Sequence, residues 1–332
     1  MKIAAMTFQD RVYGGITIND PVVLEIINTP EFRRLIDIDQ GGYSHIHFPD
    51  SQHSRFEHSL GVYELLRRYN APEEEQIAGL LHDVSHSAFS HTMDYIMADG
   101  SGTKQCHQDR IFAEYLRNSS IAEILKKYNL NIDRIVEDAN FPLKENELPD
   151  ICADRIDYSL RGFLVFKIAP REVVDYFLRH LKAENGKWFF NDSQSAERYA
   201  NLFKELNTSC YCAPKTAHMF RTTAEYIKRG LDYGYINDED LYTTDTEVLN
   251  KIRPHHNRDL ILQKLFLRME NKARWEINKD DYDFQVMCKS RAIDPFYQTG
   301  ESLKRVSESN PSWKQIVAHE LKPKEHFIKF YD

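Results

Sequence analysis

Four side chains in this sequence have the types and the order needed to hold a divalent cation. His82 and Asp83 are adjacent in residues 77–91, IAGLLHDVSHSAFSH; His58 lies upstream in RFEHS and Asp154 downstream in ADRIDY. Ile77, Leu80, Leu81 and Val84 recur at i, i+3, i+4 and i+7, which predicts a helix with one face in a core and the His-Asp pair at the end of that face. Burying an imidazole and a carboxylate is costly, so the pair must share hydrogen bonds or bind a cation. An isolated His-Asp dipeptide is an ordinary surface feature; the two further residues on separate elements sharpen it. Two imidazoles and two carboxylates make a mixed nitrogen and oxygen set with open positions, suited to one divalent ion among Mn, Mg, Fe, Co, Ni and Zn. Such an ion polarises a phosphoryl oxygen and acidifies water.

Phosphate chemistry also needs donors and proton carriers. Arg55, three residues before His58, offers a planar fork to phosphate. His86, His91 and His107 are the acid-base candidates, because imidazole titrates nearest neutrality. Asp94 follows His91 by three residues, the spacing of a group that orients it.

These residues require helices to carry them. Residues 55–69 read as a helix whose buried stripe is Phe56, Leu60, Tyr63 and Leu66. Glu73, Glu74 and Glu75 open the next helix and complement its macrodipole. In the helix expected over 151–166, Ile156, Leu160 and Phe163 face a core, whereas Asp154, Tyr158 and Arg161 share a second face that fits a site wall. The irregular residues 40–54 lead into His58, and residues 98–105, ADGSGTKQ, read as a connecting loop or a lid. Two hairpins are expected, about Gly14-Gly15 and about Asn185-Gly186. Thr244-Asp245 is expected to cap a helix over 246–252. The tail turns β-like at residues 272–278, 283–294 and 325–331. The expected fold is mainly α, a helical bundle with short β-hairpins. Residues 1–260 form its core, with the metal site within 55–160, and residues 261–332 form a small α+β appendage packed on it.

With 42% hydrophobic and 28% charged residues in 332, the composition is that of a globular protein with a sizeable core. A net charge of −8 argues against sequence-independent nucleic-acid binding, which needs clustered Lys and Arg. The five cysteines lack a disulfide or zinc spacing, and no secretory leader or membrane span is legible, so a cytoplasmic location is expected.

HSRFEHS, GLLHDVSHSAFSH, CHQD and ADRIDYSLRG, in this order, resemble the HD-domain phosphohydrolases, most closely their deoxynucleoside triphosphate triphosphohydrolase branch. The resemblance implies an HD-domain helical bundle and a nucleotide substrate cut at its α-phosphorus to nucleoside and tripolyphosphate. It implies a homo-oligomer, dimer or tetramer. It places Gln40 at the sugar, Arg155 and Tyr158 at phosphate or sugar, His86 and His107 along the phosphates and His91 near the leaving 5′ oxygen. Two departures bear on the substrate. The branch's sugar-holding Asp is Gly162 here, and its Tyr-x-His-Lys stretch becomes Tyr211-Cys212-Ala213-Pro214-Lys215, retaining Tyr211 and Lys215 as candidate substrate contacts. A nucleotidase or phosphodiesterase on the same scaffold, and a non-catalytic nucleotide sensor, are the alternatives.

Overall fold

In the computed structural model, which describes residues 5–97 and 102–332, the N-terminal hairpin forms with a shifted turn. β1 (Met6–Asp10) pairs antiparallel with β2 (Gly14–Ile18). The reversal occupies residues 11–13, not Gly14-Gly15: Asp10 Oδ1 accepts the N–H groups of Val12 and Tyr13 at 2.7 and 2.8 Å and closes the turn before the glycines. Asp20 then caps α1 (Pro21–Ile27) and Thr29 caps α2 (Pro30–Arg33), each with proline in its first turn.

α3 (Arg55–Arg68) is capped by Ser54 and buries every residue from 58 to 66, so it is the central helix of the bundle and not a one-sided surface helix. α4 (Glu73–Leu81) lies along it. A Cβ on Gly79 would meet Leu66 Cδ1 at 2.4 Å, so glycine permits this approach. α4 ends one residue before the His-Asp pair, with His82 as its C-cap, so the pair projects from the exit turn and not from the helix itself. Glu75 is buried and accepts the N–H groups of Leu143 and Lys144 at 2.6 and 3.0 Å; it pins the 141–145 loop besides sitting in a first turn.

α5 (His107–Arg117), α6 (Ile121–Lys127) and α7 (Ile132–Ile135) lead to α8 (Ala153–Val165), which crosses α3 at Gly61. After α9 (Arg171–His180), β3 (Leu181–Glu184) and β4 (Lys187–Phe190) form the hairpin expected at Asn185-Gly186, both residues taking positive φ. α10 (Ser193–Leu206) runs through a wide π-helical turn, Asn207–Tyr211, into α11 (Pro214–Asp232). Thr244 caps α12 (Asp245–Ile252), and α13 (Leu260–Met269) follows.

β5 (Trp275–Ile277) and β6 (Phe284–Cys288) flank β9 (Lys324–Phe330) in one three-stranded sheet. β7 (Phe296–Thr299) and β8 (Ser302–Arg305) instead extend the β3-β4 hairpin, β7 lying parallel to β4 with Phe189 opposite Phe296. The short helices α14 (Val306–Ser309) and α15 (Pro311–Glu320) connect the two sheets. The fold is mainly α with small sheets, as expected, and the tail shares a sheet with the body. Of the expected lid, residues 98–101 lie outside the described residues.

Candidate active site

α3, the exit of α4 and the first turn of α8 bring His58, His82 and Asp154 together. His58 Nδ1 donates to Asp157 Oδ1 at 2.7 Å, since a carboxylate only accepts, and His82 Nδ1 donates to Gly79 O at 2.7 Å. In the neutral rings both Nε2 atoms therefore carry the lone pair. They face each other at 3.2 Å, and Asp154 Oδ1 lies 2.9 Å from the first and 3.4 Å from the second. Three acceptors converging within 4.8 Å, with both other ring nitrogens already spent, repel one another unless a cation lies among them. The residues thus fit a divalent ion.

The electrostatics show that the cluster draws positive charge, which protons on the imidazoles supply when no metal does. Burial opposes charge on His58, yet the Asp154 and Asp157 carboxylates outweigh it and lift the imidazole to about 9. Burial likewise opposes charge on His82, which Asp83 and Asp154 raise. Burial would raise Asp154, but its bonds to the two imidazoles hold it well below the carboxylate range. Asp83 approaches from the side, 3.5 Å from His82 Nε2 and 3.7 Å from His58 Nε2, while its Oδ2 accepts Arg55 Nη1 at 2.6 Å.

A cavity of about 370 Å³ opens over these groups, within the range of small-molecule sites. His86 and His91 stand in its wall with rings edge to face at 4.9 Å, and His86 Nε2 lies 3.4 Å from Asp83 Oδ1. Burial, then the Arg55 charge, pushes His86 well below the ordinary imidazole range. Burial lowers His91 as well, opposed by Asp94, which accepts its Nδ1–H at 3.1 Å.

Residues 55–162 match the HD-domain family model. The chain is 33% identical over 293 residues to the uncharacterised protein YdhJ of Bacillus subtilis, covering 87% of this chain and 88% of that one. The chain belongs to the HD-domain family of metal-dependent phosphohydrolases. It is 27% identical to a protein of Cordyceps militaris named metal-dependent phosphohydrolase, across 88% of this chain and 84% of that one. A deoxynucleoside triphosphate triphosphohydrolase of Gallus gallus is 31% identical over 54% of this chain but only 34% of its own length. Among solved structures, a phosphohydrolase of Bacteroides thetaiotaomicron shares the fold at 18% identity, with a TM-score of 0.76 over 98% of this chain and 100% of the other.

Within this HD-domain site the other expected residues are distributed unevenly. Gln40, Arg55, Arg155, Tyr158 and Tyr211 line the cavity. Gln40 Oε1 and Tyr158 Oη are buried without a hydrogen-bond partner. Both arginines are largely engaged: Arg55 bonds Asp83, Ser90 Oγ and Gln40 O, and Arg155 bonds the carbonyls of Asn146 and Asp150 and reaches Cys152 Sγ. His107 is buried outside the cavity wall; its N–H donates to Asp94 Oδ1 at 3.0 Å and its Nε2 lies 3.3 Å from Tyr242 Oη. Lys215 is exposed on α11 and does not line the cavity, its Nζ 5.9 Å from the ring centre of Phe48, which does.

Arg161 corrects the expected face of α8. It is fully buried in ion pairs with Asp157, Asp10 and Glu57 and forms no part of the site wall. Asp157 itself is the functional residue that sequence reading missed. Its signal was present, a second acid one turn after Asp154 on the same helix. Lys289 and Arg291, also in the cavity wall, come from the tail with no motif to mark them.

Proposed function

We propose that this HD-domain enzyme hydrolyses nucleoside triphosphates, deoxy forms included, at the α-phosphorus to nucleoside and tripolyphosphate. Two partnerless polar atoms of cavity-lining residues, Gln40 Oε1 and Tyr158 Oη, carry this reading: one accepts from a sugar hydroxyl and the other donates to a phosphate. A cation held by His58, His82, Asp154 and Asp83 supplies Lewis acidity toward a phosphoryl oxygen and acidifies water. His91, with Nδ1 fixed by Asp94, has Nε2 left to give a proton to the leaving 5′ oxygen, and a bound polyanion raises its proton affinity. His86, kept neutral by burial, hydrogen-bonds the phosphates. His107 acts through Asp94, and Arg55 holds Asp83 in place.

The test is a panel of ribo- and deoxynucleoside triphosphates with Mn or Mg, read by product. Tripolyphosphate and nucleoside are expected; orthophosphate or nucleoside monophosphate in their place ends the assignment.

Gly162 favours one second reading. A Cβ there would lie 2.6 Å from Tyr211 Oη, which donates to Tyr158 O at 3.0 Å, so tyrosine fills the space of the branch's sugar-holding Asp. A looser sugar preference, or a nucleotidase or phosphodiesterase acting on another phosphorylated substrate, follows from that exchange. We also propose a homodimer or tetramer; Leu260 and Ile261 on α13, 76% and 57% exposed, support it as apolar surface that association would cover.

A further inference from the structure

The cavity presents five Lys or Arg side chains among the described residues, and three of them are held by protein groups, Arg155 with its Nε still unpartnered. Arg55 uses all three guanidinium nitrogens on Asp83, Ser90 and Gln40. Arg155 is directed at main-chain carbonyls, and Lys144 is paired with Asp138. On the helices that carry the metal ligands, a polyphosphate entering this space finds Arg55 paired with a carboxylate and Arg155 anchored by carbonyls, with its Nε alone left to donate. The remaining two cations come from the tail. Lys289 makes no hydrogen bond or ion pair with any described residue, and Arg291 makes a single side-chain bond, Nη2 to Gln105 Oε1 at 2.7 Å.

Their presentation is built. Lys289 and Arg291 are two residues apart just past β6, and both line the cavity while Ser290 between them bonds to Glu320 O and Asn207. Ser290 Oγ donates to Glu320 O at 2.5 Å and accepts Asn207 Nδ2 at 3.0 Å; Arg291 N–H donates to Asn207 Oδ1 at 2.9 Å. Asn207 opens the π-helical turn before Tyr211, so one buried amide fixes both the tail segment and the turn beside it. Burial pushes the Lys289 ammonium down to about 8, as it does a cation held short of water and of a counter-ion.

We propose that Lys289 and Arg291 form a cationic arm that binds the phosphates beyond the one attacked, making the C-terminal region part of the active centre and the selector of polyphosphate chains over single phosphates. The inference rests on the triphosphate reading above for its role in turnover, but its binding claim is separable. With the metal-loaded full chain and metal in excess, inorganic tripolyphosphate is titrated by calorimetry into the native protein, Lys289→Gln, Arg291→Gln, the double variant and Lys289→Arg.

Each neutral variant should weaken binding about tenfold, as loss of one charge-assisted contact does, and the double variant by more. Lys289→Arg should bind within about threefold of native, which separates lost charge from lost folding. In turnover, the double variant should lose kcat/KM on a triphosphate while hydrolysis of bis-p-nitrophenyl phosphate by the same preparation stays within about twofold. Native protein that does not bind tripolyphosphate, or a double variant that binds it as native does, overturns the arm. An equal fall on every substrate overturns its selectivity. Tripolyphosphate binding that depends on both residues, in a protein that releases no tripolyphosphate from nucleotides, leaves the arm standing and removes only the triphosphohydrolase reading.

Discussion

Asp157 decides what His58 can do. By accepting the Nδ1–H it leaves Nε2 as the ligating atom toward Asp154 and His82, and Arg161 keeps Asp157 ionised, down at about 2 against the pull of burial. Asp157→Asn keeps the shape but weakens the acceptor. Metal affinity should fall about 10- to 100-fold with all direct ligands intact, the usual cost of losing such an outer partner, measured by competition with a chelator. His82→Ala removes a ligand outright. Metal content by elemental analysis and hydrolytic activity should disappear together; retention of both would remove the site. His58, His82 and Asp154 were legible as residue types in a motif order. That their ring protons are spent elsewhere was not, because a tautomer is fixed by neighbours that arrive from other elements.

At the scale of elements, the site depends on how closely helices approach. A Cβ on Gly61 of α3 would lie 2.1 Å from Asp157 Oδ2 and 2.2 Å from Arg161 Nη2, with both partners fully buried and unable to yield. Gly61→Ala should therefore cost about 1–3 kcal/mol by overpacking and lower metal content, since it displaces the group that orients His58. Denaturant unfolding and elemental analysis check the two effects. Asp245, read from sequence as part of a helix cap, also joins the loops on either side of α3 and α4. Its Oδ1 accepts Phe89 N–H at 2.7 Å and its Oδ2 accepts Asp39 N–H at 2.9 Å, although burial pushes the carboxyl up to about 8. Phe89 and Ser90 both take positive φ, 59° and 50°, a conformation such residues hold only under constraint. Asp245→Ala leaves two N–H groups without a partner, at about 1–3 kcal/mol each. A lower melting temperature and a raised KM with the metal still bound are expected.

For the whole molecule, His47 and His218 join the 40–54 loop to α11 and to the C-terminal sheet through Trp275, stacked on His218 at 4.3 Å. Burial drives both imidazoles down, His47 to about 4 and His218 to about 3. Their folded values lie below the ordinary 6.5, so the unfolded chain binds more protons as acid is added. The stability they allow is complete above pH 6.5 and is lost as pH falls from there through about 4. Melting curves between pH 7.5 and 5, at saturating metal so that the ligand histidines stay unprotonated, should show a falling midpoint that His218→Phe flattens. An unchanged slope in that variant would reject the assignment. Light scattering should give a mass of at least two chains, reduced by Leu260→Glu; a native monomer would end the proposed assembly.

The family, the mainly α class, the helices that carry the candidate ligands and most of the groups around them were legible from the order of amino acids. Those features reside in local periodicity and in an ordered motif spread over residues 55–162. Which of the expected residues share a space depended on packing between distant elements. Arg161 left the site because it found the carboxylates of Asp157, Asp10 and Glu57 inside the bundle. Lys289 and Arg291 entered it from more than a hundred residues past the motif, because the sheet holding β6 packs beside α11. Spacing along a chain fixes neighbours only within an element; convergence between distant elements is set by packing, and a charge gains its role from whatever faces it there.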